Sequence, residues 1–214
     1  MSTADRTRAL RRRMVAEARR ATVASGLQGF TIEQLCETVG VSRRTFFNHF
    51  GSKEDAVLGI ELHADTELVA AYARGELVPV TVDPLGSVIA LTIEQLRVVG
   101  LDRAHEVLIR GVFEREPALV GRFVSATDEQ LEAVAAAVRQ RFGWTAPDDA
   151  RARLVTEAAA GILRVSAAAW LDDDFDESTG TGIDDLITTN LRQMQAAITP
   201  ATTASTTGRQ GAPA

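Results

Sequence analysis

The stretch VSRRTFFNHFGSKEDA, residues 41–56, gathers the side chains best suited to holding another molecule. Arg43 and Arg44 stand side by side, Phe46, Phe47 and Phe50 follow, and Asn48, His49 and Lys53 complete the set. Arginine offers a donor fork to guanine O6 and N7, asparagine can read adenine, and an aromatic edge can touch a thymine methyl or a sugar. At helical spacing Phe46 and Phe50 lie one turn apart and can pack inward on Leu35, Val39 and Val41. The pairs Arg43/Phe47 and Arg44/Asn48 then face the opposite way. Base readers concentrate in the first turn of such a helix, which singles out Arg43, Arg44 and Thr45. Thr31 and Ser42 sit at helix N-termini, where amides and dipole favour an anion. His49 and Lys53, the chain's one lysine, follow as phosphate partners. The arginines from Arg8 to Arg13 fit a solvated helix face, the DNA backbone or a minor groove equally well.

Those residues need two short helices and a tight turn, and the flanking sequence supplies them. Thr31 with Gln34 three residues on is a capping-box pattern opening TIEQLCETV. Gly40 can take the left-handed conformation of the turn. Ser42 caps RRTFFNHF, Gly51 ends it, and Ser52 caps one long helix over 52–74. Upstream, 5–25 places Leu10, Met14, Ala18 and Ala21 on one stripe and stops at Gly26. Downstream, a loop over 75–84 with two prolines precedes helices at 85–100, 102–115 and 118–142. Pro117 breaks the chain between the last two. A loop at 143–149 carries Asp148 and Asp149, either of which can cap a helix over 150–171. An acidic, flexible connector, DDDFDESTGTG, leads to a last helix at 183–198. The tail 199–214 is low-complexity and expected to be disordered. The reading is all-α: an N-terminal arm and helix-turn-helix domain over 1–51, a larger helical bundle over 52–198, and the tail.

Charge agrees with that division. The 214 residues carry a net −6 overall. Residues 1–53 hold ten basic against four acidic side chains, leaving −12 on the remainder. A basic head on an acidic body is the electrostatic footprint of a DNA-binding module attached to something else. No apolar run of membrane-spanning length occurs. A basic N-terminus without a following apolar stretch, together with the single Cys36, points to the cytoplasm. No GxSxG, HExxH, P-loop or CxxC pattern is present, so the sequence does not read as an enzyme. His63 and His105 lack a third ligand at suitable spacing, and no metal or cofactor is expected.

The run Thr31, Leu35-Cys36, Gly40-Val41-Ser42-Arg43-Arg44-Thr45-Phe46-Phe47-Asn48-His49-Phe50, Ser52-Lys53-Glu54 resembles the TetR/AcrR family of bacterial transcriptional regulators. The resemblance spans about residues 8–56. It implies a three-helix DNA-binding domain, a helical ligand-binding and dimerisation domain, and repression of an operator relieved by a small molecule. This chain departs from the family pattern in two ways. Family members commonly carry tyrosines where Phe47 and Asn48 stand, and a small residue where Arg44 stands. Phe47 therefore lacks a phosphate-binding hydroxyl, and Arg44 can add a base contact that favours guanine. Farther on, GVFEREPALVGRF and DDARARLVTEAAAGILRVSAAAWLDDD resemble the C-terminal domain of mycofactocin-regulator-like proteins, which implies an acyl-CoA-type effector.

The body offers fewer signals. Alanine-rich 150–171 has an apolar stretch between Glu157 and Arg164, which suits a helix–helix interface. With 183–198 it forms, by the same resemblance, a homodimer placing two heads on a palindromic double-stranded operator. Candidate ligand contacts are Asp65, an acid on the stripe Leu58, Leu62, Val69, Tyr72; Tyr72 itself; Arg110, which Glu106 can also pair; and Phe113. Trp144 and Trp170 read as packing residues. A helical DNA-binding scaffold or activator controlled by a protein partner, with no small-molecule ligand, is the alternative.

Overall fold

The computed structural model describes residues 3–60, 66–77, 83–144, 146 and 149–198. The first helix, α1 (Thr3–Ser25), buries Met14, Val15, Ala18 and Thr22 along one face. A 3-10 turn, Leu27–Gly29, leads to α2 (Ile32–Val39) and α3 (Arg43–Phe47). Each of the next starts is capped as its sequence dictates. Thr31 and Gln34 form the reciprocal capping box, Ser42 accepts from the Thr45 amide at 3.0 Å, and Ser52 accepts from the Asp55 amide at 3.1 Å. Such caps contribute about 1 kcal/mol each by satisfying amides that the helix leaves orphaned. Gly40 turns the chain between α2 and α3 at φ 77°.

The long helix expected over 52–74 is not continuous. It divides into α4 (Lys53–Leu58) and α5 (Thr66–Arg74). Gly59 ends α4 at φ 77°, donating its amide back to the Asp55 carbonyl, and Ile60 donates to the same oxygen at 2.9 Å. The polar–apolar period runs straight across this glycine and conceals the stop. Asp65 lies outside the described residues.

The remaining helices are α6 (Pro84–Val99), α7 (Arg103–Glu106), α8 (Leu108–Arg115), α9 (Ala118–Phe142), α10 (Arg151–Trp170) and α11 (Ile183–Ile198). The single helix expected over 102–115 is thus interrupted at Val107, and Pro117 separates α8 from α9 as its missing amide requires. The acidic connector after α10 is tied down. Arg103 donates to the carbonyls of Trp170 and Asp172 at 2.6 and 2.5 Å and lies over the Phe175 ring. No single helix among the described residues is long and apolar enough to cross a membrane.

Two cores result. The first joins Met14, Leu35, Val39, Phe46, Phe50 and Val57, and it takes in Val112 of α8 and Leu119 of α9. The second joins Tyr72, Leu91, Val138, Ile162 and Ile187 across α5, α6, α9, α10 and α11. Polar ties also cross from the first helices to the rest. Arg19, 4 % exposed, donates to the carbonyls of Val57 and His105 and pairs with Glu106 at 2.9 Å. The Leu27 amide donates to Glu116 at 2.7 Å, and Arg122 of α9 grips Asp55 through Nε and Nη2 at 3.0 and 2.6 Å.

Replacing Gly59 with alanine places a Cβ in ordinary contact with Arg19 and Val15, so the cost is that of left-handed backbone alone. Gly59→Ala is expected to destabilise by about 1–2 kcal/mol, lowering the calorimetric midpoint by about 3–6 °C; an unchanged midpoint would refute this account of the break. Cys36 is 4 % exposed and burial pushes its thiol pKa up. Iodoacetamide should leave native Cys36 unmodified at neutral pH and alkylate it fully in denaturant, read by intact mass.

Candidate nucleic-acid interface

The five-residue α3 is held from beneath. Phe46 and Phe50 are fully buried, with their ring centroids 5.7 Å apart. Burying each phenyl contributes on the order of 2 kcal/mol, which fixes the helix's rotation and so decides what faces outward. Arg43, Arg44, Phe47 and Asn48 all lie exposed on the outer side. Phe47, 40 % exposed, meets Phe46 edge-to-face at 5.3 Å. Phe47 thus keeps apolar surface open to solvent beside Arg43, where a sugar or methyl group can meet it.

The two arginines differ in state. Arg43 pairs with Glu33 of α2 at 2.7 Å and lies 5.8 Å from the Phe47 ring centroid. The Glu33 carboxyl is held below its ordinary pKa, first by hydrogen bonding to its own backbone and further by Arg43 and Thr31. Because both partners are more than half exposed, solvent screens the pair and it opens readily. Arg44 has no ion pair among the described residues. Thr45 is half-buried, and its hydroxyl lies 2.8 Å from that of Ser42, so both hydroxyls partly serve the cap.

The flanking residues are similarly engaged. The Thr31 amide is taken by the Gln34 side chain at 2.8 Å, and the Thr31 hydroxyl accepts from the Gln34 amide at 3.2 Å while also serving the Glu33 carboxylate. His49 is half-buried against Phe50. The Lys53 ammonium donates to the Phe30 carbonyl at 2.8 Å and lies 4.8 Å from the Phe30 ring centroid. That spends one of its three donors. Arg13, at the same end of the molecule, donates to the Val39 carbonyl at the close of α2.

The candidate ligand residues do not converge. Tyr72 is enclosed in the second core, where its hydroxyl meets Ser87 at 2.7 Å and Arg141 lies over its ring. Arg110 is exposed and faces Asp173 at 3.4 Å and the Leu171 carbonyl at 3.2 Å; Glu106, expected as its partner, is taken by Arg19. Phe113 packs on the first core and against Phe123, centroids 5.5 Å apart. Trp144 stacks on Phe142 beneath Arg151, and Trp170 is buried. No cluster of three metal-ligating side chains exists among the described residues.

The residues that sequence reasoning missed are Arg11, Arg12 and Arg19. They fasten α1 to Gly59, Gly100 and Val57, positions 48, 88 and 38 residues away. A signal for Arg19 was present: it directly follows Ala18 on the face that already holds Met14, Val15 and Thr22.

Comparison with known proteins agrees with the geometry. Residues 15–58 match the family described as bacterial regulatory proteins, tetR family, and residues 103–199 match the MftR C-terminal domain. The HTH-type transcriptional regulator TcmR of Streptomyces glaucescens is 29% identical over 174 residues, covering 77% of this chain and 76% of that protein. The HTH-type transcriptional repressor AcnR of Corynebacterium diphtheriae is 36% identical over 77 residues, 36% of this chain and 40% of its own length. A crystal structure assigned to the TetR family from Mesorhizobium loti superposes with a TM-score of 0.48 at 15% identity, covering 92% of this chain and 98% of that one, too distant to bear on function. The chain thus joins a tetR-family N-terminal domain to an MftR-type C-terminal domain, the domain make-up of a TetR-family DNA-binding transcriptional regulator.

Proposed function

We propose that this regulator is a repressor that binds a palindromic double-stranded operator as a homodimer and releases it when a small molecule occupies the body. The observation that carries the reading of DNA is the outer face of α3, where Arg43, Arg44, Phe47 and Asn48 stand exposed on a helix pinned from behind by Phe46. In this arrangement Arg44, Arg43 and Thr45 meet base edges, and Asn48 and Phe47 extend the contact. Thr31, Ser42, His49 and Lys53 meet phosphates around it. Residues 1–51 act as the reading head and 52–198 as the effector and dimer body. The name of AcnR, a repressor, supports the negative sign of regulation. The MftR-type body supports control by a small molecule, of acyl-CoA type by that resemblance.

Dimerisation follows from α3 itself, because five residues reach too few base pairs for an operator to be selective. A surface to support it lies on α10. Leu154 and Val165 are 66% and 62% exposed, three turns apart on one stripe with Ala158, Gly161 and Ala168 between and beyond them. Small residues on such a stripe let a second helix approach closely, and α11 packs alongside.

Two measurements test this reading. In fluorescence anisotropy on an operator selected from random sequence, Arg44→Ala should cost about 1–3 kcal/mol and relax preference at one base pair. Glu33→Gln, which frees Arg43, should instead tighten binding several-fold. Weaker binding by Glu33→Gln, or no change with Arg44→Ala, would remove α3's first turn from the interface. Sedimentation should find the full chain dimeric and the Leu154→Glu/Val165→Glu variant monomeric, with palindrome affinity reduced toward that of a single half-site. A dimer that survives both glutamates would place the interface elsewhere.

A further inference from the structure

At the junction of head and body lies a half-open cavity of ≈290 Å³, separate from both α3 and the second core. Its apolar wall is built from Val15 of α1, Leu58 at the end of α4, Ile109 of α8, Phe123 of α9 and Leu171. Phe123 is 39 % exposed, so the wall opens to solvent on that side. Three arginines of α1, Arg11, Arg12 and Arg19, line the same space.

The charges around the cavity are matched unequally. Arg19 faces Glu106 at 2.9 Å, so those two neutralise each other. Asp102 accepts from the Ala104 amide and lies 3.4 Å from His105 Nδ1. Arg11 is buried and donates to the Gly59 carbonyl at 2.9 Å. Arg12 is exposed at the cavity mouth, and its partner among the described residues is a neutral oxygen, the Gly100 carbonyl at 2.9 Å. That carbonyl belongs to the C-terminal cap of α6, whose dipole attracts a cation weakly. A carboxylate offers the guanidinium two parallel acceptors and a full negative charge, a far stronger partner than one carbonyl.

The geometry points to a ligand site at this junction for a small apolar carboxylate, with its head group on Arg12 and its hydrocarbon part over Val15, Leu58, Ile109 and Phe123. The cavity is at the small end of those that hold ligands. It suits a short acyl chain or a single aromatic ring, and is too small for a whole coenzyme A thioester. A carboxylate there competes directly with Gly100 for Arg12 and so loosens the tie between α1 and α6. As an effector site it rests on the effector-release reading above; as a binding site it does not.

Isothermal titration of the full chain, without DNA, with hexanoate, octanoate, phenylacetate and the neutral control octanol tests the site. At least one carboxylate should bind once per chain while octanol gives no heat. Arg12→Gln should weaken it about tenfold or more, and Arg12→Lys, which keeps the charge but loses the fork, should fall between. Arg139→Gln, on the far end of α9, should bind as the unaltered chain does. Equal affinity in Arg12→Gln, binding of octanol as tight as octanoate, or no binding by any of the three carboxylates would overturn the site. Operator affinity is then measured at saturating carboxylate: a fall supports effector release through this site, whereas no change keeps the site and refutes that release.

Discussion

Arg19 is where the two halves of the chain are held to each other. Its guanidinium sits 4 % exposed, and burying a cation is tolerable only if its donors and its charge are both met. The Val57 carbonyl closes α4, and the His105 carbonyl and Glu106 carboxylate belong to α7. Satisfying one side chain therefore fixes α1 against the exit of the head and the entrance of the body at once. The Asp55–Arg122 and Leu27–Glu116 contacts repeat the principle on neighbouring elements. Held this way, α1 and α4 cannot shift without moving α7 and α9, which is the mechanical requirement for any signal between the two halves.

What was legible in the sequence is what is decided locally. Thr31, Ser42 and Ser52 cap because their oxygens lie within three residues of the amides they satisfy, and the buried set Phe46/Phe50 follows from one helical turn. The outer face of α3 was readable for the same reason. Gly59 was misread because the pattern on either side of it obeys one period, and whether a glycine continues or ends a helix depends on neighbours such as Arg19 and Val15. The destinations of Arg11 and Arg12 were hidden by distance, since nothing at position 12 announces a carbonyl at position 100. Tyr72 shows the limit from the other side: an aromatic on a predicted inner stripe is compatible with pocket or core, and it is its complete burial in the second cluster that places it in the core.

The interface combines pinned and releasable parts. The buried rings beneath α3 and the Lys53–Phe30 contact belong to the fold and stay put. The Arg43–Glu33 pair is solvent-screened and opens at little cost, so Arg43 can exchange a carboxylate for a nucleic-acid partner. Arg44 needs no such exchange. Adjacent arginines of one helix thus start from different states, one paired with the acidic residue on α2 and one without an ion pair among the described residues.

The first core crosses the boundary that sequence similarity draws. The tetR-family match ends at residue 58, yet the side chains that complete its packing include Val112 and Leu119. For anyone recombining such regulators, the exchangeable unit is consequently the core and not the similarity segment. A chimera that grafts residues 1–58 onto a foreign body inherits a socket shaped for α8 and α9 of this chain, and will work only where the recipient fills it with side chains of matching volume.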